Sequence, residues 1–294
     1  MSAIFGPIIT AMVTPFTGEG AVDYETAAKL SRYLVENGST ALVVAGTTGE
    51  GPALSNTEKM QLLKTVAEAV SGKAAVIAGT GGNSTTASVE LTGQAAEYGA
   101  DGVMLVTPYY NRPSQEGLYQ HFKTVAAATR LPVMLYNVPA RTGVNMTAET
   151  TLRLSEIDNI VGVKEASGNL EQVAAICKGA PGGFAVYCGD DALTLPMLSV
   201  GAQGVVSVAS HLAGNRLAEM VVSYQKGQTE RAREIHWELM PLFRGLFMAT
   251  NPVPVKAALE MLGFNVGLPR LPLAPLNEAE RNNLRALLSN YGLI

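Results

Sequence analysis

Short apolar runs recur along the chain, each followed by small residues and then by apolar positions at helical spacing. The runs begin near Ile8, Ala41, Ala74, Gly102, Val133, Ile160, Phe184 and Gly204, at intervals of 20 to 33 residues. A strand, two loops and a helix occupy about 25–30 residues, so the repeat reads as a βα unit. Eight such units are what a closed (β/α)8 barrel requires. The runs are apolar at nearly every position, the pattern of parallel strands covered on both faces.

Helix signals fit between the runs. Ser55-Asn56-Thr57-Glu58 is a capping-box pattern ahead of Met60, Leu63, Val66 and Ala67. Asp23 is placed to cap a helix carrying Ala27, Leu30, Leu34 and Val35, with Gly38 as its stop. Beyond residue 228 the rhythm changes to three helical segments, near 229–248, 255–262 and 277–291. The expected fold is therefore α/β: a (β/α)8 TIM barrel over residues 1–227 carrying the active site, and a C-terminal helical appendage over 228–294 packed on it.

Composition narrows the function. The 294 residues are 47% apolar and 16% charged and include 30 glycines, which suits a compact chain with many tight turns. A net charge of −4 argues against a general nucleic-acid or anionic-membrane surface. The longest uncharged stretch, 192–215, is broken by Thr194, Pro196, Gln203 and His211, so no membrane span is expected. The N-terminus, starting at Met1, lacks a basic segment followed by an apolar run, so no signal peptide and a cytoplasmic location are expected. Cys177 and Cys188 are too few for a disulfide scaffold or a four-thiolate site. His121, His211 and His236 are isolated, so no metal centre is expected.

Chemistry in such a barrel gathers at the C-terminal strand ends. The sixth run ends Ile160-Val161-Gly162-Val163-Lys164-Glu165. With strict alternation Ile160, Gly162 and Lys164 share one face. If Val161 and Val163 face the helices, Lys164 points into the barrel mouth, where a partly desolvated amine can attack a ketone. The plainer reading is a lysine that ends a strand and reaches water. The fifth run ends at Tyr136, a candidate proton carrier, and Arg141 follows in a turn with a fork suited to a carboxylate. The second run ends Gly46-Thr47-Thr48-Gly49-Glu50-Gly51, where small residues allow close ligand approach and the threonine hydroxyls suit a carboxylate or a proton relay. Pro52 stands where a phosphate-binding loop would carry lysine. Tyr109 and Tyr110 form a pair in a proline-bounded loop, suited to a site or to a subunit contact. Asp190 and Asp191 follow the seventh run, with Asp191 read most simply as a helix cap and Cys188 as a small buried residue.

Five motifs occur in order: Gly46–Glu50, Thr107–Pro113, Tyr136–Gly143, Gly162–Ala166 and Asn251–Lys256. Together they make the chain resemble the dihydrodipicolinate synthase (4-hydroxy-tetrahydrodipicolinate synthase) family, among the pyruvate-dependent aldolase-like barrels. The resemblance implies a Schiff base between Lys164 and pyruvate, with Tyr136 as general acid and base and Thr47 and Tyr110 completing a proton relay. It implies that Thr48 and the backbone at Val206 hold pyruvate, with Gly189 nearby. Arg141 then binds the carboxylate of the second substrate, L-aspartate 4-semialdehyde, in lysine and diaminopimelate biosynthesis. No cofactor or metal is implied. Tyr110 would reach a neighbouring subunit's site, implying a homo-oligomer, usually a tetramer built as a dimer of dimers.

One departure stands out. Lysine-inhibited members carry a histidine and a glutamate at a feedback site, whose matching positions here read Gly51, Pro52, Asn56, Lys59, Asn83, Ala87 and Tyr109. The cationic Lys59 and the absent carboxylate at Ala87 predict weak or absent lysine inhibition. Two other readings compete. A sister aldolase acting on N-acetylneuraminate or a 2-keto-3-deoxy sugar acid would share Lys164 and Tyr136 but have no need for Arg141. A non-catalytic sensor would be free to lose Lys164 or Tyr136, and both are present.

Overall fold

The computed structural model describes residues 4–294. Met1, Ser2 and Ala3, where the N-terminal reading begins, lie outside the described residues. Eight strands follow one another: β1 (Ile8–Ala11), β2 (Ala41–Val44), β3 (Ala75–Gly79), β4 (Gly102–Val106), β5 (Val133–Asn137), β6 (Ile160–Glu165), β7 (Ala185–Cys188) and β8 (Gly204–Ser207). Each pairs in parallel with the next, and β8 returns to β1 to close the barrel. Every apolar run begins a strand within one residue.

Side-chain alternation divides the apolar material into two layers. Ile9, Val43, Ile77, Met104, Met134, Tyr187 and Val206 fill the barrel interior. Leu42, Val76, Leu105, Leu135, Val163 and Val205 point outward against the helices. Strands packed on both sides show no polar face, which is why the runs read as continuously apolar. Tyr187 is fully buried, and its hydroxyl accepts the Phe5 N–H at 3.4 Å. Burial pushes its phenol up to about 12.

The helices begin where capping oxygens stand. Asp23 and Ser55 accept backbone N–H groups of the helices Tyr24–Glu36 and Asn56–Val70, the second with a complete capping box. Ser84, Ser114, Thr147 and Asn169 do the same for the helices that follow β3 to β6. Each cap satisfies a donor that the first helical turn leaves free.

Strict alternation fails in β6. Ile160 and Val163 pack outward, whereas Val161 packs inward. Val133 pairs with Ile160 and Met134 with Gly162, so a bulge absorbs one extra residue. Val161 therefore does not face the helices, although Val163 does. Beyond the bulge alternation resumes, and Tyr136 and Lys164 stand opposite each other.

After the helix Ser210–Gln225 the chain forms the helices Thr229–Gly245, Val253–Met261 and Glu278–Asn290. The second starts earlier than expected, at residues flanked by Pro252 and Pro254, because proline is tolerated in a first helical turn. Val253 through Leu259 are all buried. Lys256 is among them and is 1% exposed. Among the described residues no helix is long and apolar enough to cross a membrane.

Candidate active site

A cavity of about 360 Å³ opens at the C-terminal ends of β2 to β5. Thr47, Tyr136 and Arg141 line it, together with Met104, Val138 and Tyr109. Tyr136 is next to last in β5, on the inward face, and belongs to the interior cluster. Lys164 is 5% exposed, and its Nζ lies 4.2 Å from the centroid of the Tyr136 ring. Lys164 does not itself line the cavity; the phenol ring joins the amine to the cavity wall. Among the described residues Lys164 forms no ion pair.

Gly189 follows β7, and its N–H donates to Glu165 O at 2.8 Å. A Cβ built there would stand 2.6 Å from Ala166 Cβ and 3.2 Å from Lys164 Cε. Only glycine leaves the lysine stem its room. Val206 faces the barrel interior from β8 and pairs with Ile9. Thr48 is buried and accepts a hydrogen bond from Asn251 Nδ2 at 2.9 Å. Arg141 is exposed, in the short helix Pro139–Thr142, and forms no ion pair among the described residues. It lines the cavity, and its guanidinium makes no hydrogen bond among the described residues.

Tyr110 is not brought to this cavity. It is 90% exposed, on a loop where Tyr110 and Arg112 both adopt positive φ, 72° and 45°. Left-handed backbone is costly for such side chains and persists where surrounding contacts hold it. Arg112 supplies one, donating Nε–H to Gly143 O at 3.0 Å.

Gly51, Pro52, Asn56, Lys59, Asn83, Ala87 and Tyr109 all line the same cavity. The positions named for the feedback site are thus brought together. Burial holds the Lys59 ammonium below its ordinary value.

The sequence reading missed the carboxylates that hold the site from outside. Glu165 is fully buried and accepts from Asn137 Nδ2 at 3.0 and 3.2 Å, from Ser167 N–H at 2.7 Å and from Gln172 Nε2 at 2.9 Å. Asn137 and Glu165 are register partners immediately beyond Tyr136 and Lys164. The network therefore locks the two strand tips in register. A sequence signal existed: two polar residues end two otherwise apolar strands, each one step out of phase with the candidate catalytic side chain.

Asp191 also departs from its expected role as a helix cap. Asp190 is the cap, accepting Ala192 N–H at 2.9 Å. Asp191 is buried and accepts the Ser207 hydroxyl and the N–H groups of Val208 and Ala209 at 3.0 and 2.9 Å. It fastens the loop after β8. Burial pushes its carboxyl up, against the pull of those donors. Cys188 is buried, as expected, and burial raises its thiol. Among the described residues no cluster of histidine, cysteine or carboxylate side chains forms a metal site.

Fold and site together define a (β/α)8 barrel protein with a buried strand-end lysine stacked on a tyrosine beside an open cavity. The chain belongs to the dihydrodipicolinate synthetase family, whose model matches residues 4–291. A 4-hydroxy-tetrahydrodipicolinate synthase of Moorella thermoacetica is 56% identical over 290 residues, covering 99% of each chain. The crystal structure of a dihydrodipicolinate synthase from Bacillus anthracis, 52% identical, superposes with a TM-score of 0.95 over 98% of both chains. One from Cyanidioschyzon merolae, with lysine bound, is 49% identical and superposes with a TM-score of 0.98 over the whole of both chains.

Proposed function

We propose that this chain is a 4-hydroxy-tetrahydrodipicolinate synthase, condensing pyruvate with L-aspartate 4-semialdehyde. The observation that carries the reading is the placement of Lys164 Nζ 4.2 Å from the centroid of the Tyr136 ring, which lines the cavity, with no ion-pair partner among the described residues. The relatives above support it.

The Lys164 amine attacks the pyruvate ketone and water leaves, forming an imine. The imine is an electron sink, so a methyl proton can pass to Tyr136, with Thr47 relaying it. The resulting enamine attacks the aldehyde carbon. The second substrate's own amine then displaces Lys164, which closes the ring and frees the lysine. Thr48 and the backbone at Val206 hold the pyruvate carboxylate, and Arg141 pairs with the second carboxylate. The imine supplies the electron sink, so the reading calls for no metal or organic cofactor.

The outward Tyr110 supports a homo-oligomer, a tetramer built as a dimer of dimers, in which each Tyr110 completes a neighbour's relay. The reading also places the enzyme in the cytoplasm. We further propose that Lys59 and Ala87 leave their end of the cavity lining a poor host for a lysine ammonium group; strong inhibition by submillimolar lysine would overturn that.

Two measurements test the main reading. Turnover of both substrates, coupled to a tetrahydrodipicolinate reductase, is expected. Borohydride reduction with pyruvate is expected to leave a mass adduct on Lys164. An adduct without turnover would move the assignment to a sister aldolase, and no adduct would remove the imine mechanism.

A further inference from the structure

The Asn251–Lys256 motif lies outside the barrel, yet it grips the loop after β2 at two points. Asn251 Nδ2 donates to Thr48 Oγ1 at 2.9 Å, between two buried residues. Lys256 Nζ donates to Glu50 Oε1 at 2.9 Å, to Thr14 O at 3.1 Å and to Leu268 O at 3.2 Å. The Arg270 N–H takes the other Glu50 oxygen at 2.8 Å. Glu50 has φ 54°, and its N–H closes the turn on Thr47 O at 3.1 Å. The two-threonine turn is thus pinned between Asn251 and the Glu50 ion pair.

The Asn251 contact also sets a direction. A threonine hydroxyl has one hydrogen and two acceptor lone pairs. Accepting from Asn251 uses a lone pair and leaves the hydrogen free, and the hydroxyl makes no other hydrogen bond among the described residues. Asn251 Oδ1 is buried without a partner among the described residues. With the amide turned over, Oδ1 would take the threonine hydrogen and the NH2 would be the orphan. An under-satisfied oxygen is the less costly of the two.

We propose that Asn251 is a positioning residue for the keto-acid substrate. By donating to Thr48 Oγ1 it turns the Thr48 hydrogen toward the pyruvate carboxylate, while Lys256 and Glu50 hold the turn in place. The inference rests on the assignment of Thr48 to that carboxylate.

Steady-state kinetics of Asn251→Ala, Thr48→Val, the double variant and Asn251→Asp test it. Asn251→Ala is expected to raise the pyruvate KM about tenfold, the cost of one hydrogen bond to a charged group. The KM for the aldehyde should stay unchanged. The double variant should be no worse than Thr48→Val. Asn251→Asp, of equal size but able only to accept, should raise the pyruvate KM at least as much, because it draws the hydrogen to itself. Multiplying effects in the double variant, or a wild-type pyruvate KM in Asn251→Asp, would overturn the proposal. If Asn251→Ala does not fold, the Asn251→Asp result decides. Borohydride trapping on the wild type reports separately on the functional reading: an adduct there with no Asn251–Thr48 coupling sinks this inference alone.

Discussion

Two buried lysines sit in different parts of this molecule, each with its ammonium 4.2 Å from the centroid of an aromatic ring. Lys164 stands over Tyr136 at the tip of β6, and Lys256 over Phe16 in the C-terminal segment. Lys256 spends its donors on a carboxylate and two carbonyls. Burial pulls its ammonium down, and Glu50 opposes that. Among the described residues Lys164 has no ion-pair partner, and its ammonium stands over a phenol ring. Burial alone thus does not mark a reactive amine. An amine whose donors are all committed holds loops together, whereas an uncommitted one is free to exchange its proton for a bond to carbon.

The sharpest way to break this contrast is to remove each lysine in turn. Lys164→Ala should lower turnover on the order of a thousandfold or more and abolish borohydride trapping. Lys256→Met should strand Glu50 and cost about 3–5 kcal/mol of stability, read as a drop in melting temperature. Trapping at saturating pyruvate should persist in the folded protein. If Lys256→Met left stability intact and abolished trapping, the contrast would be wrong.

Smaller changes sharpen it. Gly189→Ala adds a methyl 3.2 Å from Lys164 Cε and 2.6 Å from Ala166 Cβ. It should slow trapping more than it lowers the melting temperature. Arg141→Ala should raise the KM for the aldehyde substrate about tenfold or more, the cost of a charge-assisted pair, and leave trapping with pyruvate untouched. Unchanged aldehyde kinetics would remove Arg141 from that role.

A buried base with its bonds committed has a neutral counterpart in His211. Its Nε2 accepts the Val13 N–H at 3.2 Å, so Nδ1 carries the hydrogen donated to Val208 O at 2.8 Å. Burial holds this imidazole down at about 4, and His121 likewise. In the unfolded chain both titrate near 6.5. Between those values the unfolded state binds more protons, so stability is full above about pH 6.5 and is lost as pH falls toward 4. Melting temperatures should decline over that window. A flat profile between pH 7 and 5 would show that the two rings are not held neutral.

Much of the site was legible because barrel chemistry gathers at strand ends, and the residues ending the apolar runs can be read off directly. Lys164, Tyr136, Thr47 and Arg141 are candidates read that way, and the structure sets Thr47, Tyr136 and Arg141 on the cavity wall with Lys164 against the Tyr136 ring. The phase of β6 was not, since the bulge that turns Val161 inward depends on how β5 pairs with it. Glu165 was given no role because nothing within a few residues of it in the chain shows which donors converge on it. Its donors come from β5, from the turn after β6 and from Gln172 in the helix Leu170–Gly179. Asp191 read as a cap because its partners after β8 are 16 to 18 residues away.

The sequence by itself determined the barrel, the order of its strands, the caps of its helices and the chemical inventory at the strand ends. These follow from local spacing: short continuous apolar runs, period-3.6 apolar patterns between them and side chains that satisfy N–H groups within three residues. Tertiary structure alone decided which of two buried lysines is left without an ion-pair partner, and that Asn251 meets Thr48 across 203 positions of chain. Those outcomes depend on how many donors and acceptors converge on one buried point from distant segments, and no local pattern encodes that count.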